Sequence, residues 1–101
     1  MNTRMGVKHG REYSDILEDL IKAIGKIPDR YTFFEMEEED WERLGAADRR
    51  EVDEALAEDL FYALGGESMI TVGSGVVIHD KENHRLNILI GEDELDFVAL
   101  I

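Results

Sequence analysis

Hydrophobic residues recur at intervals of three and four from Tyr13 to Ile27, and charged residues fill most of the positions between them. This spacing places the apolar side chains on one face of an α-helix. Gly25 and Pro28 supply the end of that helix, because proline cannot continue the hydrogen-bond ladder. The predicted inner stripe consists of Tyr13, Ile16, Leu17, Leu20, Ala23, Ile24 and Ile27.

The same spacing predicts a second long helix between Asp48 and Leu64. Asp48 has the side chain of a good N-cap residue. Gly65 is the expected left-handed residue at the end of the helix, because glycine adopts that conformation at little cost. The predicted inner stripe consists of Val52, Ala55, Leu56, Leu60, Ala63 and Leu64.

The segment between these two helices carries conflicting signals. Thr32 followed by Glu35 resembles the capping box of a helix, whereas the aromatic residues around Thr32 are typical of a strand. We predict a short strand over residues 31–36 and keep a helix as the alternative. A brief helix is predicted over 38–44, since its acidic first turn suits the positive end of a helix dipole.

From Ser68 onward the period of the hydrophobic pattern changes to two, which is typical of β-strands. Short turns that contain Gly73, Asn83 and Gly91 separate the apolar runs. Connections this short join antiparallel strands, so the strands form a meander. The predicted strands span residues 68–72, 75–80, 84–90 and 95–101.

Because side chains alternate along a strand, the pairing register decides which of them face the helices. A three-residue loop, 81–83, pairs Asp80 with His84 and sets Ile78 opposite Leu86. In this register one side of the sheet is wholly apolar and offers a surface to the helical stripes. Its predicted members are Val76, Ile78, Leu86, Ile88, Ile90, Leu95, Phe97, Ala99 and Ile101.

These elements predict a two-layer α+β fold, in which two main helices and a short one pack on one face of an antiparallel β-meander. A chain of 101 residues is the right length for one such domain. Residues 1–10 show no apolar period, so we expect a flexible N-terminal arm followed by a single domain over residues 11–101.

The chain carries 24 acidic and 11 basic side chains, a formal charge of −13. Twelve of the acids and only three arginines fall within residues 35–59. Such a charge repels phosphate backbones, so direct binding of nucleic acid is not expected. No apolar run is long enough for a membrane span, and the chain has no cysteine. We therefore expect a cytoplasmic protein.

The sequence contains no complete catalytic or metal-binding motif. His79 and His84 could ligate zinc, but the predicted register puts them on opposite faces of the sheet. The acidic run 35–42 lacks the spacing of a calcium loop. The turn 73–75 lacks the lysine and the following helix of a phosphate-binding loop. We expect no metal, no cofactor and no enzymatic activity.

The side of the sheet that faces away from the helices is the predicted binding surface. An antiparallel sheet normally carries polar residues on a solvated side, whereas several aliphatic side chains are predicted here. The N-terminal arm, a second copy of the chain or a different protein would cover them, and a homodimer is one expectation. The candidate partner-binding residues are Val77, Leu89, Val98, Leu100 and Arg85.

These features favour a non-catalytic protein–protein interaction or regulatory module. Two alternatives remain open. The acidic band over 35–59 could mimic a phosphate backbone and occupy a basic nucleic-acid-binding protein. A pocket between the helices and the sheet, lined by Tyr13, Tyr31, Trp41 and Tyr62, would instead make the chain an enzyme or a ligand carrier.

Overall fold

The first helix forms as its hydrophobic spacing predicts. The computed structural model describes residues 7–101, and helix α1 spans Tyr13–Ile24. Ile16 and Leu20 on its inner face are fully buried. Gly25 caps the C-terminal end, and the proline that stops the helix follows shortly after it.

The remaining elements follow the predicted order except at residues 31–36. The four strands form one antiparallel sheet in the order β1-β2-β3-β4. The helices contact each other and the sheet, which confirms the two-layer α+β fold. After α1 the chain forms a 3₁₀ helix (Arg30–Phe34), α2 (Glu38–Arg43), α3 (Ala46–Ala63), β1 (Met69–Val72), β2 (Gly75–Asp80), β3 (Arg85–Ile90) and β4 (Asp93–Ala99).

The 3₁₀ helix replaces the strand predicted over residues 31–36, and that prediction is wrong. The ring of Tyr31 stacks on that of Trp41 with centroids 5.3 Å apart, which buries Tyr31. The backbone N–H and the hydroxyl of Thr32 both donate to the carbonyl oxygen of Asp29, at 3.2 and 2.8 Å. The tight turn thus satisfies its own backbone groups, whereas a strand here would need a neighbouring strand.

Helix α3 differs from its prediction at both ends. It begins at Ala46, its N-cap is Gly45, and Asp48 lies in the first turn without capping it. Gly65 is not left-handed. Its N–H donates to the carbonyl oxygen of Tyr62 at 3.1 Å, so the helix tightens into a 3₁₀ turn as it ends.

The buried face of α3 is rotated from the predicted stripe. Leu60 is fully buried as predicted, but Ala55 is exposed and Val52 is only half-buried. Val52 and Ala55 therefore lie on the flank of the helix, where they are accessible to a binding partner. The buried residues of the helix are Asp53, Leu56, Ala57, Leu60 and Phe61.

The loop between β2 and β3 has four residues, 81–84, and not the three predicted, so Asp80 pairs with Arg85. The carboxylate of Asp80 accepts hydrogen bonds from the backbone N–H and the side-chain amide of Asn83, at 3.2 and 2.9 Å. His84, the last residue of the loop, has a φ of 55° and is left-handed. The longer loop shifts β2 by one residue relative to β3.

Strand β4 is also shifted by one residue from its predicted pairing. Ile88 lies opposite Asp96, but the next residue, Leu89, lies opposite Glu94. Leu95 is therefore the extra residue of a β-bulge. Its side chain packs against the core, as predicted.

These two shifts exchange the faces of β2 and of the part of β4 that follows Leu95, whereas β3 keeps its predicted orientation. The apolar residues that face the helices on β2 and β4 are Val77 and Val98, and not Val76 and Phe97. The core lies between the two long helices and this side of the sheet. Its members include Ile16, Leu20, Ile24, Leu56, Leu60, Val77, Leu86, Ile88, Val98 and Leu100.

The end of the predicted N-terminal arm belongs to the folded domain. Val7 is 3% exposed and lies in the core cluster. The backbone N–H groups of Gly10 and Arg11 both donate to the carbonyl oxygen of Leu100, at 2.7 and 3.0 Å. Residues 7–10 are thus held in place, and the first six residues of the predicted arm lie outside the described residues.

Candidate protein-binding surfaces

The structure divides the five predicted partner-binding residues between the two sides of the sheet. Val77, Val98 and Leu100 are at most 1% exposed and lie in the core. Their prediction as surface residues is wrong, because the one-residue shifts turn them toward the helices. Leu89 and Arg85 are half-buried on the side of the sheet opposite the helices, which we call the open face.

The open face carries an apolar patch that crosses all four strands. Met69 and Phe97 are 58% and 48% exposed. Val76, Ile78 and Leu89 are half-buried between them. Strand alternation and the observed register place eleven residues on this face. They are Met69, Thr71, Val76, Ile78, Asp80, Arg85, Asn87, Leu89, Glu94, Phe97 and Ala99.

The end of the open face next to the β2–β3 loop is polar, and its two charged residues, Asp80 and Arg85, have opposite charges. The guanidinium carbon of Arg85 lies 4.6 Å from the centroid of the Phe97 ring, and its Nε is 3.9 Å from the carboxylate of Asp80. Hydrogen bonds from the side chain and backbone of Asn83 lower the pKa of Asp80, so this carboxylate stays charged. Arg85 Nε and Asn87 Oδ1 are buried without a hydrogen-bond partner among residues 7–101.

A second apolar surface is a groove on the helical side of the molecule, with a volume of about 430 Å³. One wall is the flank of α3, where the lining positions follow the i, i+3, i+4, i+7 spacing of a single helix face. The other wall comes from the end of the 3₁₀ helix and the residues around α2. The groove is lined by Phe34, Met36, Leu44, Asp48, Glu51, Val52 and Ala55.

A largely buried ion pair fixes the two walls of the groove to each other. The Nε and Nη2 atoms of Arg30 donate to the two carboxylate oxygens of Asp53 on α3, at 2.6 and 3.0 Å. The same guanidinium lies 4.9 Å from the ring of Trp41 on α2. From the other wall, Arg49 of α3 lies 4.7 Å from this ring and donates to the Trp41 carbonyl oxygen at 3.2 Å. Trp41 thus lies between two arginines that tie the segments together.

The surroundings of the groove are strongly acidic. Within residues 35–59, Arg43 pairs with Asp40, and Arg50 pairs with Glu54. Nine of the twelve carboxylates of this segment have no ion-pair partner among the described residues. They are Glu35, Glu37, Glu38, Glu39, Glu42, Asp48, Glu51, Glu58 and Asp59.

Comparisons of the chain with family models, with curated proteins and with solved structures gave no match. The function therefore has to be inferred from the residues and geometry of this chain. No helix within residues 7–101 is long and apolar enough to cross a membrane.

A third feature is a pocket of about 360 Å³ near the β2–β3 loop, where Lys8 and Lys81 lie beside His79 and His84. Both histidines line this pocket, although the predicted register separated them. His79 Nδ1 donates to the carbonyl oxygen of Leu64 at 3.3 Å, and burial lowers the pKa of its ring. In the part of the chain that is described, no three His, Cys, Asp or Glu side chains are placed to hold a metal ion.

The four aromatic residues predicted to line a pocket between helices and sheet pack in two separate contacts. The ring of Tyr13 lies 4.9 Å from that of Phe61, which also contacts Tyr62. Tyr31 stacks on Trp41 in the cluster behind the groove. Tyr62 itself is 51% exposed, and the two contacts are separate, so the prediction that the four side chains converge on one cavity is wrong.

Sequence reasoning missed the groove because its signal is divided among distant segments. Phe34 and Met36 were assigned to a strand, and Val52 was assigned to the inner stripe of α3. A usable signal was present: α3 carries more apolar positions than one buried stripe needs. Asp53 is 8% exposed within that helix, and nothing in the sequence pattern distinguishes it from the solvated acids around it.

Proposed function

We propose that this protein is a non-catalytic protein-interaction module whose main contact surface is the open face of its sheet. The partner of this face is a second copy of the chain. The observation that carries the proposal is the patch of half-exposed apolar side chains around Arg85 and Phe97. Aromatic and arginine residues are enriched at interaction hot spots.

Self-association is supported by the charge of the open face. The molecule as a whole carries −13, so two copies repel each other where their acidic surfaces approach. On the open face, Arg85 balances Asp80, so that with Glu94 on the outer strand the face carries a net charge of only −1, and the acidic helices lie on the opposite layer. Two such faces can pack about 10 Å apart with interdigitating side chains, as in a β-sandwich.

The magnitudes predict a weak, concentration-dependent dimer. Met69 and Phe97 expose about half of their surface, and Val76, Ile78 and Leu89 expose less. Since burying a whole large apolar side chain contributes about 1.5–3 kcal/mol, covering these five residues on both faces of a two-fold contact gives a gross gain of about 4–13 kcal/mol. Association costs about 4–15 kcal/mol. The two ranges overlap, so the monomer and the dimer should both be populated.

The test is light scattering of the intact protein across micromolar concentrations. The expected mass rises from 11.5 kDa toward twice that value as concentration increases. The variant Phe97→Glu should remain monomeric at every concentration, because it places a charge in the patch. Tyr62→Glu is the matched control, since Tyr62 is 51% exposed on α3 and Phe97 is 48% exposed.

Two results contradict the proposal. One is a monomer mass at all concentrations in the unmodified protein. The other is a dimer that both glutamate variants weaken equally, since that would place the contact outside the open face. Circular dichroism melting of both variants shows whether the fold is retained.

A further inference from the structure

We infer that the groove between α3 and the residues around α2 binds a cationic amphipathic helix of a partner protein. This inference goes beyond the proposed self-association and uses a separate surface. Its basis is the combination of an apolar lining with an uncompensated acidic rim.

The lining of the groove supplies the sites for apolar anchors. Phe34 is 38% exposed, and Met36, Leu44 and Val52 are half-buried. These four side chains come from three different segments but meet along one depression. An apolar groove along a helix flank matches the way in which amphipathic helices dock, with anchors at i, i+3, i+4 and i+7.

The acidic residues in and beside the groove favour a positively charged ligand. Asp48 and Glu51 line the groove itself, and neither has an ion-pair partner among residues 7–101. The run 35–39 adds further exposed carboxylates beside Phe34 and Met36. Lysine and arginine residues that flank an apolar stripe would meet these acids, whereas an acidic helix would be repelled.

The walls of the groove are held before any ligand binds. The Arg30–Asp53 pair joins the start of the 3₁₀ helix to α3, and Trp41 packs between Arg30 and Arg49. A preformed groove loses less conformational entropy on binding than a mobile one. The partner helix can therefore be short.

The probe is a fluorescent synthetic peptide of roughly 18 residues, the length of α3. It carries leucines at helical anchor spacing and lysines at the remaining positions. Two further peptides serve as controls: a scrambled peptide of the same composition, which has no stripe, and a peptide with glutamate in place of lysine. Fluorescence anisotropy with the full-length protein measures each affinity at low and at high salt.

Only the striped cationic peptide is expected to bind tightly. Phe34→Ser should weaken its binding about tenfold or more, as loss of a central anchor does. Tyr62→Ser, which removes an exposed aromatic ring elsewhere on the helical layer, should leave the affinity unchanged. Glu51→Gln should weaken binding by about twofold to fivefold, and this effect should shrink at high salt. Glu58→Gln, on the same helix but outside the groove, should have a smaller effect.

Three outcomes would overturn the inference. The first is that no peptide shows saturable binding. The second is that the striped and scrambled cationic peptides bind equally and both dissociate at high salt, because that is the behaviour of a nucleic-acid mimic that recognises charge alone. The third is that Phe34→Ser and Tyr62→Ser have the same effect on affinity. None of these outcomes depends on the open face, so the groove and the self-association can fail independently.

Discussion

Truncation of Asp53 to alanine should destabilise the protein strongly, because it leaves the Arg30 guanidinium without its counterion. The side chains of the two residues are only 11% and 14% exposed. The pair is bidentate, with N···O distances of 2.6 and 3.0 Å. Removing one member of a buried ion pair typically costs about 3–5 kcal/mol, whereas an exposed pair contributes about 1 kcal/mol or less.

The lower end of that range is expected for Asp53→Ala. Arg30 also donates to the carbonyl oxygens of Ile27 and Gly25, at 3.1 and 3.3 Å, and it rests against the ring of Trp41. These contacts remain in the variant and keep part of the charge satisfied. A loss of about 3 kcal/mol should lower the melting temperature by about 12–24 °C in a domain of this size.

Urea denaturation followed by tryptophan fluorescence is the appropriate assay. The chain has a single tryptophan, Trp41, which lies beside the ion pair. The double variant Arg30→Met with Asp53→Leu is the control, because replacing both partners with apolar residues removes the unpaired charge and should restore most of the stability. A loss below about 1 kcal/mol in Asp53→Ala would refute the reasoning, since that is the value of a solvated pair.

Two further predictions concern local backbone and protonation. Gly73 and Gly91 both have left-handed φ values, but a Cβ at Gly73 would lie 2.5 Å from two oxygens of Asp29, whereas a Cβ at Gly91 meets nothing within 4 Å. Gly91→Ala should therefore cost about 1 kcal/mol, and urea melts should show a clearly larger loss for Gly73→Ala. Burial lowers the pKa of His79, so the unfolded chain binds the extra proton first and stability should fall as the pH drops below about 6.5. Unfolding free energies measured from pH 7.5 to 5.5 should show this slope, and a slope that persists in His79→Gln would contradict the assignment.

The helices and the overall architecture could be predicted because their signals are local and repeated. Apolar residues at helical spacing indicate α1 and α3, and the change to a period of two indicates the meander. The orientation of individual strands depends instead on single residues. The side chain of Asp80 caps the β2–β3 turn through Asn83, so that the loop takes one more residue and His84 becomes left-handed.

The bulge at Leu95 illustrates the same limit on sequence reasoning. It shifts β4 by one residue relative to β3. The sequence around Leu95 has no turn residue and no break in the apolar pattern from which a bulge could be predicted. A one-residue shift exchanges the two faces of a strand completely. The candidate surface was predicted on the side of the sheet that faces away from the helices, but only Leu89 and Arg85 of its five predicted residues lie there.

Strands β2 and β4 carry apolar residues on both of their faces, and this explains why the sequence pattern does not decide which face is buried. Val76, Val77 and Ile78 are consecutive in β2, and Val98 follows Phe97 in β4, so either face of these strands could have been buried. Continuous apolar strands of this kind are typical of sheets that are covered on both sides. The helices cover only one side of this sheet. The apolar excess of the strands is thus a second observation, independent of the exposure of Met69, that supports the proposed association through the open face.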